Sequence, residues 1–271
     1  MKHITLFEKG IVRAHVAPLL ILTVAITLIL AINRSGAAGA AAPSTKNVVL
    51  VHGAFADGSS WAKVIPLLEA KGLHVTAVQN PLYSLADDVA ATKRTIATQD
   101  GPVILVGHSW AGMVISEAGN DPKVTGLVYV AAIVPDEGQS AGDVVNPYPP
   151  SPGLDEAKPD AAGFLSLSRK GIDEDFVPDL PSAERGIVYA TQGPWNSACL
   201  ADKVSVPAWT TKPSWYIAVN DRMLSPEYEQ AIARHIHATT TTLPTGHVPM
   251  LSKPKDVAAV IIDAANKAGQ R

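Results

Sequence analysis

Short apolar runs rich in β-branched residues recur along this chain, and a segment with helical periodicity follows most of them. Residues 47–51 (NVVLV), 103–106 (VILV), 124–131 (VTGLVYVA) and 215–219 (WYIAV) contain no charged side chain. A strand with one wet face alternates polar and apolar residues, whereas an uninterrupted apolar run fits a strand buried on both faces of a parallel sheet. Residues 73–79 and 239–243 read as two further strands. Ser59 or Ser60 can cap a helix with Trp61, Val64, Ile65, Leu67 and Leu68 on one face, and Gly72 is placed to end it. Ser84-Leu85-Ala86-Asp87 resembles a capping box, opening a helix that runs to about Gln99. Further helices are expected after Gly112, from Pro226 to about His237, and from about Pro254 to Ala268. This alternation predicts an α/β fold: a mostly parallel six-stranded sheet with helices on both faces.

Residues 135–212 break the pattern. They are rich in Pro, Gly, Ser and Asp, with only short helical patterns such as 183–190. Irregular segments of this length are functional lids or disordered insertions. Tyr148, Phe164, Phe176, Tyr189, Trp195 and Trp209 favour a packed lid.

The first forty residues have a different character. Lys2, Lys9 and Arg13 precede an almost unbroken apolar run from Val16 to Ile32, and an alanine-rich stretch follows. A basic start, an apolar middle and small residues describe a secretory signal peptide over residues 1–40, with Ala38-Gly39-Ala40 as the cleavage site. An uncleaved membrane anchor is the alternative, because the run is long for a leader and short for a span. Either reading exports residues 41–271, to a periplasmic or secreted location, and membrane association follows only if the segment stays. Charged residues make up 17% of the chain against about 25% in an average domain, and part of that deficit is this segment. The net charge of −3 becomes −6 without residues 1–40, whose net is +3. A mildly acidic domain without a polybasic run has no electrostatic reason to bind nucleic acid. The single cysteine, Cys199, excludes an internal disulfide and zinc sites built from several cysteines. No HExxH is present, so no metal is expected.

In a sheet of this kind, ligands bind beyond the carboxyl ends of the strands. Four such positions carry chemistry. Gly107-His108-Ser109-Trp110-Ala111 lies between a strand and a helix and reads as the nucleophile elbow G-x-S-x-G, with Ala111 in place of the second glycine. A plain serine cap on a glycine-rich turn is the bland reading. His247, after the last strand, is the candidate base that a serine hydroxyl needs. His235 and His237 look structural, and His108 is expected to pack locally. Asp221, in Val219-Asn220-Asp221-Arg222, is the acid that would orient the imidazole. Asp136, after the fourth strand, is its rival, and Asp221 also has a simpler reading as a helix cap. His52-Gly53-Ala54-Phe55 follows the first strand; Ala54 and Trp110 are the candidate oxyanion N–H donors, and Phe55 is expected to line the substrate pocket.

These residues together resemble the α/β-hydrolase superfamily over about residues 46–269. Val51-His52-Gly53-Ala54, Gly107-His108-Ser109, Ala131-Ala132-Ile133-Val134-Pro135-Asp136 and His247-Val248-Pro249-Met250-Leu251-Ser252 are similar to the branch of plant methylesterases, hydroxynitrile lyases and bacterial serine esterases. The resemblance implies a Ser–His–Asp triad, no cofactor and a small-molecule ester substrate. Hydroxynitrile lyases carry a lysine just after the catalytic histidine; here that position is Val248, and H-x-x-M-L is closer to the methylesterases. Trp110-Ala111 departs from the common Leu/Met-Gly after the nucleophile, so substrate size is not carried over. A lyase, a cofactor-free oxygenase and a receptor-like homologue with poor turnover are the rival readings on the same fold.

Overall fold

The computed structural model describes residues 45–268. The leader, its cleavage site and the anchor alternative lie outside the described residues. The main sheet is built from β1 (Asn47–Val51), β2 (His74–Ala77), β3 (Val103–His108), β4 (Val124–Val130), β8 (Ser214–Val219) and β9 (Thr239–Leu243). Between β4 and β8 lie three short strands, β5 (Ala157–Pro159), β6 (Phe164–Leu167) and β7 (Trp195–Asn196). The six-stranded order is β2-β1-β3-β4-β8-β9, and every neighbouring pair is parallel. Each of the six runs expected to be a strand forms one.

Position in the sheet explains the composition of each strand. β1, β3 and β8 are buried along their whole length and are the apolar runs. The edge strands are HVTA and TTTTL, partly exposed, with side chains that tolerate water. The chain steps from β1 to β2 in one direction and from β2 to β3 in the other. Right-handed crossovers therefore put the helix before β2 on the opposite face from the helices Leu85–Ala97 and Ala111–Ala118. Each fully buried Val, Ile or Leu of the central strands contributes about 1.5–3 kcal/mol of burial.

The first crossover differs from the expected helix. Asp57, not Ser59 or Ser60, is the cap: its carboxylate accepts the Ser59 N–H at 2.6 Å and starts the 3-10 turn Gly58–Trp61. The α-helix proper is only Ile65–Glu69, opened by Pro66. Proline lacks an N–H and its ring clashes with the carbonyl four residues back, so one continuous helix cannot pass through it. Gly72 follows with φ +78°, as a left-handed stop requires. Ser84 does cap Leu85–Ala97, accepting the Asp87 N–H at 3.1 Å.

Residues 135–212 are packed and contain more regular structure than expected. β5, β6 and β7 form an antiparallel sheet, and Ser182–Thr191 is helical. Strands of two to four residues are too short to show alternation, which is why the sequence did not reveal them. Phe176 and Trp195 of this insertion are buried. Among the described residues no helix is long and apolar enough to cross a membrane.

The strand order reverses around β1, whose neighbours are β2 and β3. A crevice opens outside the carboxyl ends at such a switch point. The loops that leave β1 and β3 there are His52-Gly53-Ala54-Phe55 and Ser109-Trp110.

Candidate active site

Ser109 sits on a sharp turn between β3 and the helix Ala111–Ala118, with φ 54°. A non-glycine residue in this left-handed region is uncommon and carries strain. Three backbone bonds hold it there: the Ser109 N–H donates to the Val130 carbonyl at 3.1 Å, and the Ser109 carbonyl accepts from Gly112 at 3.0 Å and Ile133 at 3.1 Å. A Cβ on Gly107 would stand 2.7 Å from the Ala111 carbonyl oxygen, and one on Gly112 only 2.1 Å from that of Ile133. The steric demand thus falls on positions 107 and 112, and a methyl group is accommodated at Ala111.

His247 follows β9 and is buried. Its Nε2 lies 2.7 Å from Ser109 Oγ and its Nδ1 lies 2.5 Å from Asp221 Oδ2. An ionised carboxylate only accepts, so Nδ1 carries the proton and Nε2 is left to accept from the serine hydroxyl. Asp221 is buried too, and its Oδ1 accepts the Met223 N–H at 2.6 Å. Asp136, the rival acid, is exposed at the surface and paired with His235 at 2.9 Å. The fold therefore brings Ser109, His247 and Asp221 into one chain of contacts and leaves Asp136 out.

The other two histidines near the site are buried and hold backbone. His108 Nε2–H donates to the His247 carbonyl at 2.9 Å. His52 Nε2 accepts the Asn80 N–H, and its Nδ1–H donates to the Gly53 carbonyl, each at 2.9 Å. Burial lowers the pKa of both, well below the ordinary histidine value for His108. Among the described residues, neither the Ala54 N–H nor the Trp110 N–H has a backbone acceptor. Gly53 lies against the elbow so closely that a Cβ there would meet Ser109 Cβ and the His108 carbonyl oxygen, both at 2.8 Å.

The insertion supplies aromatic walls. The Phe176 ring lies 5.4 Å from His247 and edge-on to Phe55 at 6.4 Å. Trp195 contacts Phe55 at 5.9 Å and Trp110 at 5.2 Å. Phe55, Phe176, Leu180, Val188 and Val248 line an adjoining cavity of about 110 Å³. Phe55 lines this cavity and has a left-handed φ of 59°.

Two buried acids besides Asp175, which pairs with Arg222, went unnoticed in the sequence. Asp88 accepts the Trp110 indole N–H and the Leu82 N–H, both at 2.8 Å. Glu229 accepts the Val219 N–H at 2.7 Å. Both occupy the apolar stripe of their helix: Leu85, Asp88, Val89, Thr92 and Ile96 are buried in the first, and Tyr228, Glu229 and Ala233 in the second. An acid at a core-facing helical position was the available signal.

A parallel α/β sheet with a strained serine at the switch point, backed by a histidine and a carboxylate, defines a hydrolase-type architecture. Residues 48–260 match the family described as the alpha/beta hydrolase family, and the chain belongs to it. It is 28% identical to a pyrethroid hydrolase of Sphingobium wenxiniae, over 81% of this chain and 88% of that protein. It is 26% identical to methylesterase 3 of Arabidopsis thaliana, over 82% and 97%. The crystal structure of a pyrethroid hydrolase from Sphingobium faniae superposes with a TM-score of 0.71 at 24% identity, covering 83% of this chain and 99% of that one.

Proposed function

We propose that this chain is a serine carboxylesterase that cleaves small acyl or aryl esters through an acyl-enzyme. The observation that carries the reading is the contact chain from Ser109 Oγ through His247 to the Asp221 carboxylate. His247 takes the Ser109 proton as Oγ attacks the ester carbonyl. The N–H groups of Ala54 and Trp110 receive the oxyanion. His247 returns the proton to the leaving alcohol, then deprotonates the water that releases the acid. Asp221 fixes the tautomer of His247 and offsets the charge of the imidazolium.

Relatives that bear esterase names support the reaction type. Val248, where a lyase of the resembling branch carries lysine, favours hydrolysis over cyanohydrin cleavage. The small apolar cavity beside Phe55 suits a short acyl or an aryl group. The basic and apolar pattern of residues 1–40 supports export of the domain. The test is hydrolysis of p-nitrophenyl butyrate by the wild type and by Ser109→Ala. Loss of turnover with an unchanged fold is expected, and undiminished hydrolysis by the variant overturns the proposal.

A further inference from the structure

Glu229 is a buried acid that the ester mechanism above does not use. It projects from the helix Pro226–His235 and is fully enclosed. Its Oε2 accepts the Val219 N–H at 2.7 Å, while Oε1 receives no donor. The titratable groups around it are Asp221 from the loop after β8, Tyr216 from β8 and Tyr228 from its own helix. None is a cation. Both phenols are already committed: Tyr216 Oη donates to the Ala132 carbonyl at 2.9 Å, and Tyr228 Oη accepts the Val134 N–H at 2.7 Å. The neighbour within hydrogen-bonding reach is Asp221, whose oxygens already accept from Met223 and His247. Arg222 beside it turns away to Asp175.

Two carboxyl groups in contact without a cation share a proton more readily than they both ionise. We infer that Glu229 is a protonated carboxylic acid that donates a hydrogen bond to Asp221, making it a positioning residue behind the His247–Asp221 pair. Burial first, then the charge of Asp221, pushes the Glu229 carboxyl well above the usual carboxylate range. The donated bond anchors the Asp221 carboxylate and withdraws electron density from it. Asp221 is then a weaker stabiliser of the imidazolium that His247 becomes when it takes the serine proton. Glu229 touches no reacting atom; it acts through Asp221.

This inference rests on the proposed triad, so its test includes a readout that needs no turnover. The His247 ring is titrated by NMR in the wild type, Glu229→Gln and Glu229→Met, alongside the acid limb of kcat/KM for p-nitrophenyl butyrate. Glutamine keeps an acceptor for Val219 and an N–H donor for Asp221, so both midpoints are expected to stay where they are. Methionine removes the donor, and both midpoints are expected to rise by about half a pH unit to one unit. If Glu229 is instead ionised, Glu229→Gln removes a negative charge near the imidazolium and lowers the midpoint, which overturns the inference. An unmoved midpoint in a folded Glu229→Met also overturns it. If Glu229→Met does not fold, Glu229→Leu takes its place as the variant without a donor. If no ester is turned over while the NMR midpoints behave as stated, the esterase reading fails and the carboxyl pair stands.

Discussion

The indole N–H of Trp110 donates to the buried carboxylate of Asp88 at 2.8 Å, tying the residue after Ser109 to the helix Leu85–Ala97. The same carboxylate holds the Leu82 N–H, so a single acid braces both the elbow and the left-handed turn at Leu82. Burial raises the Asp88 pKa to about 6, against the lowering effect of these two donors. The folded state therefore holds this proton more tightly than the unfolded chain does. Its contribution is fully present below the unfolded value near 3.8 and is lost as pH rises through about 6. The two values imply a loss of about 2–3 kcal/mol across that window. Urea unfolding of the wild type and Asp88→Asn between pH 4 and 7 checks this. The variant should gain on the wild type as pH rises, and a constant difference refutes the assignment.

Hydrolysis should show an acid limb governed by one proton, because His247 must be neutral to accept the serine proton. Burial lowers the pKa of His52, and that of His108 well below the ordinary histidine value, which disfavours a second proton on either ring. A pH series of kcat/KM tests this; a two-proton slope would mean that another buried histidine titrates with His247.

Asp221→Asn should reduce kcat by about three to four orders of magnitude, because an amide cannot fix the tautomer. Asp136→Asn breaks only an exposed pair with His235 and should leave kcat within about twofold. Equal losses in the two variants would revive Asp136 as the acid.

Gly53→Ala places a methyl group 2.8 Å from both Ser109 Cβ and the His108 carbonyl oxygen, so the loop or the elbow must shift. Displacing the Ala54 donor by a fraction of an ångström to 1 Å should cut kcat by up to about a hundredfold, with KM changed much less. A variant with wild-type kcat would show that the loop does not serve the transition state.

The sheet was legible because strands buried on both faces leave uninterrupted apolar runs, as in 47–51 and 215–219. Ser109, His247 and Asp221 were singled out because each follows a strand, where chemistry collects in this fold, and the structure brings the three into contact. Asp221 was preferred to Asp136 although both follow strands; the path of the loops brings Asp221 to His247 and Asp136 to His235. β5, β6 and β7 escaped because strands so short carry no period. Asp88 and Glu229 escaped because a lone acid in a helix reads as solvated, and only its place on the buried stripe says otherwise.

Ser109 keeps a left-handed backbone that glycine would adopt without strain. Relieving it is worth on the order of 1 kcal/mol. A library of this protein sorted only for heat resistance or yield would therefore enrich Ser109→Gly and accumulate inactive winners. Engineering of this scaffold has to select on turnover in the same round, because at this position robustness and chemistry pull against each other.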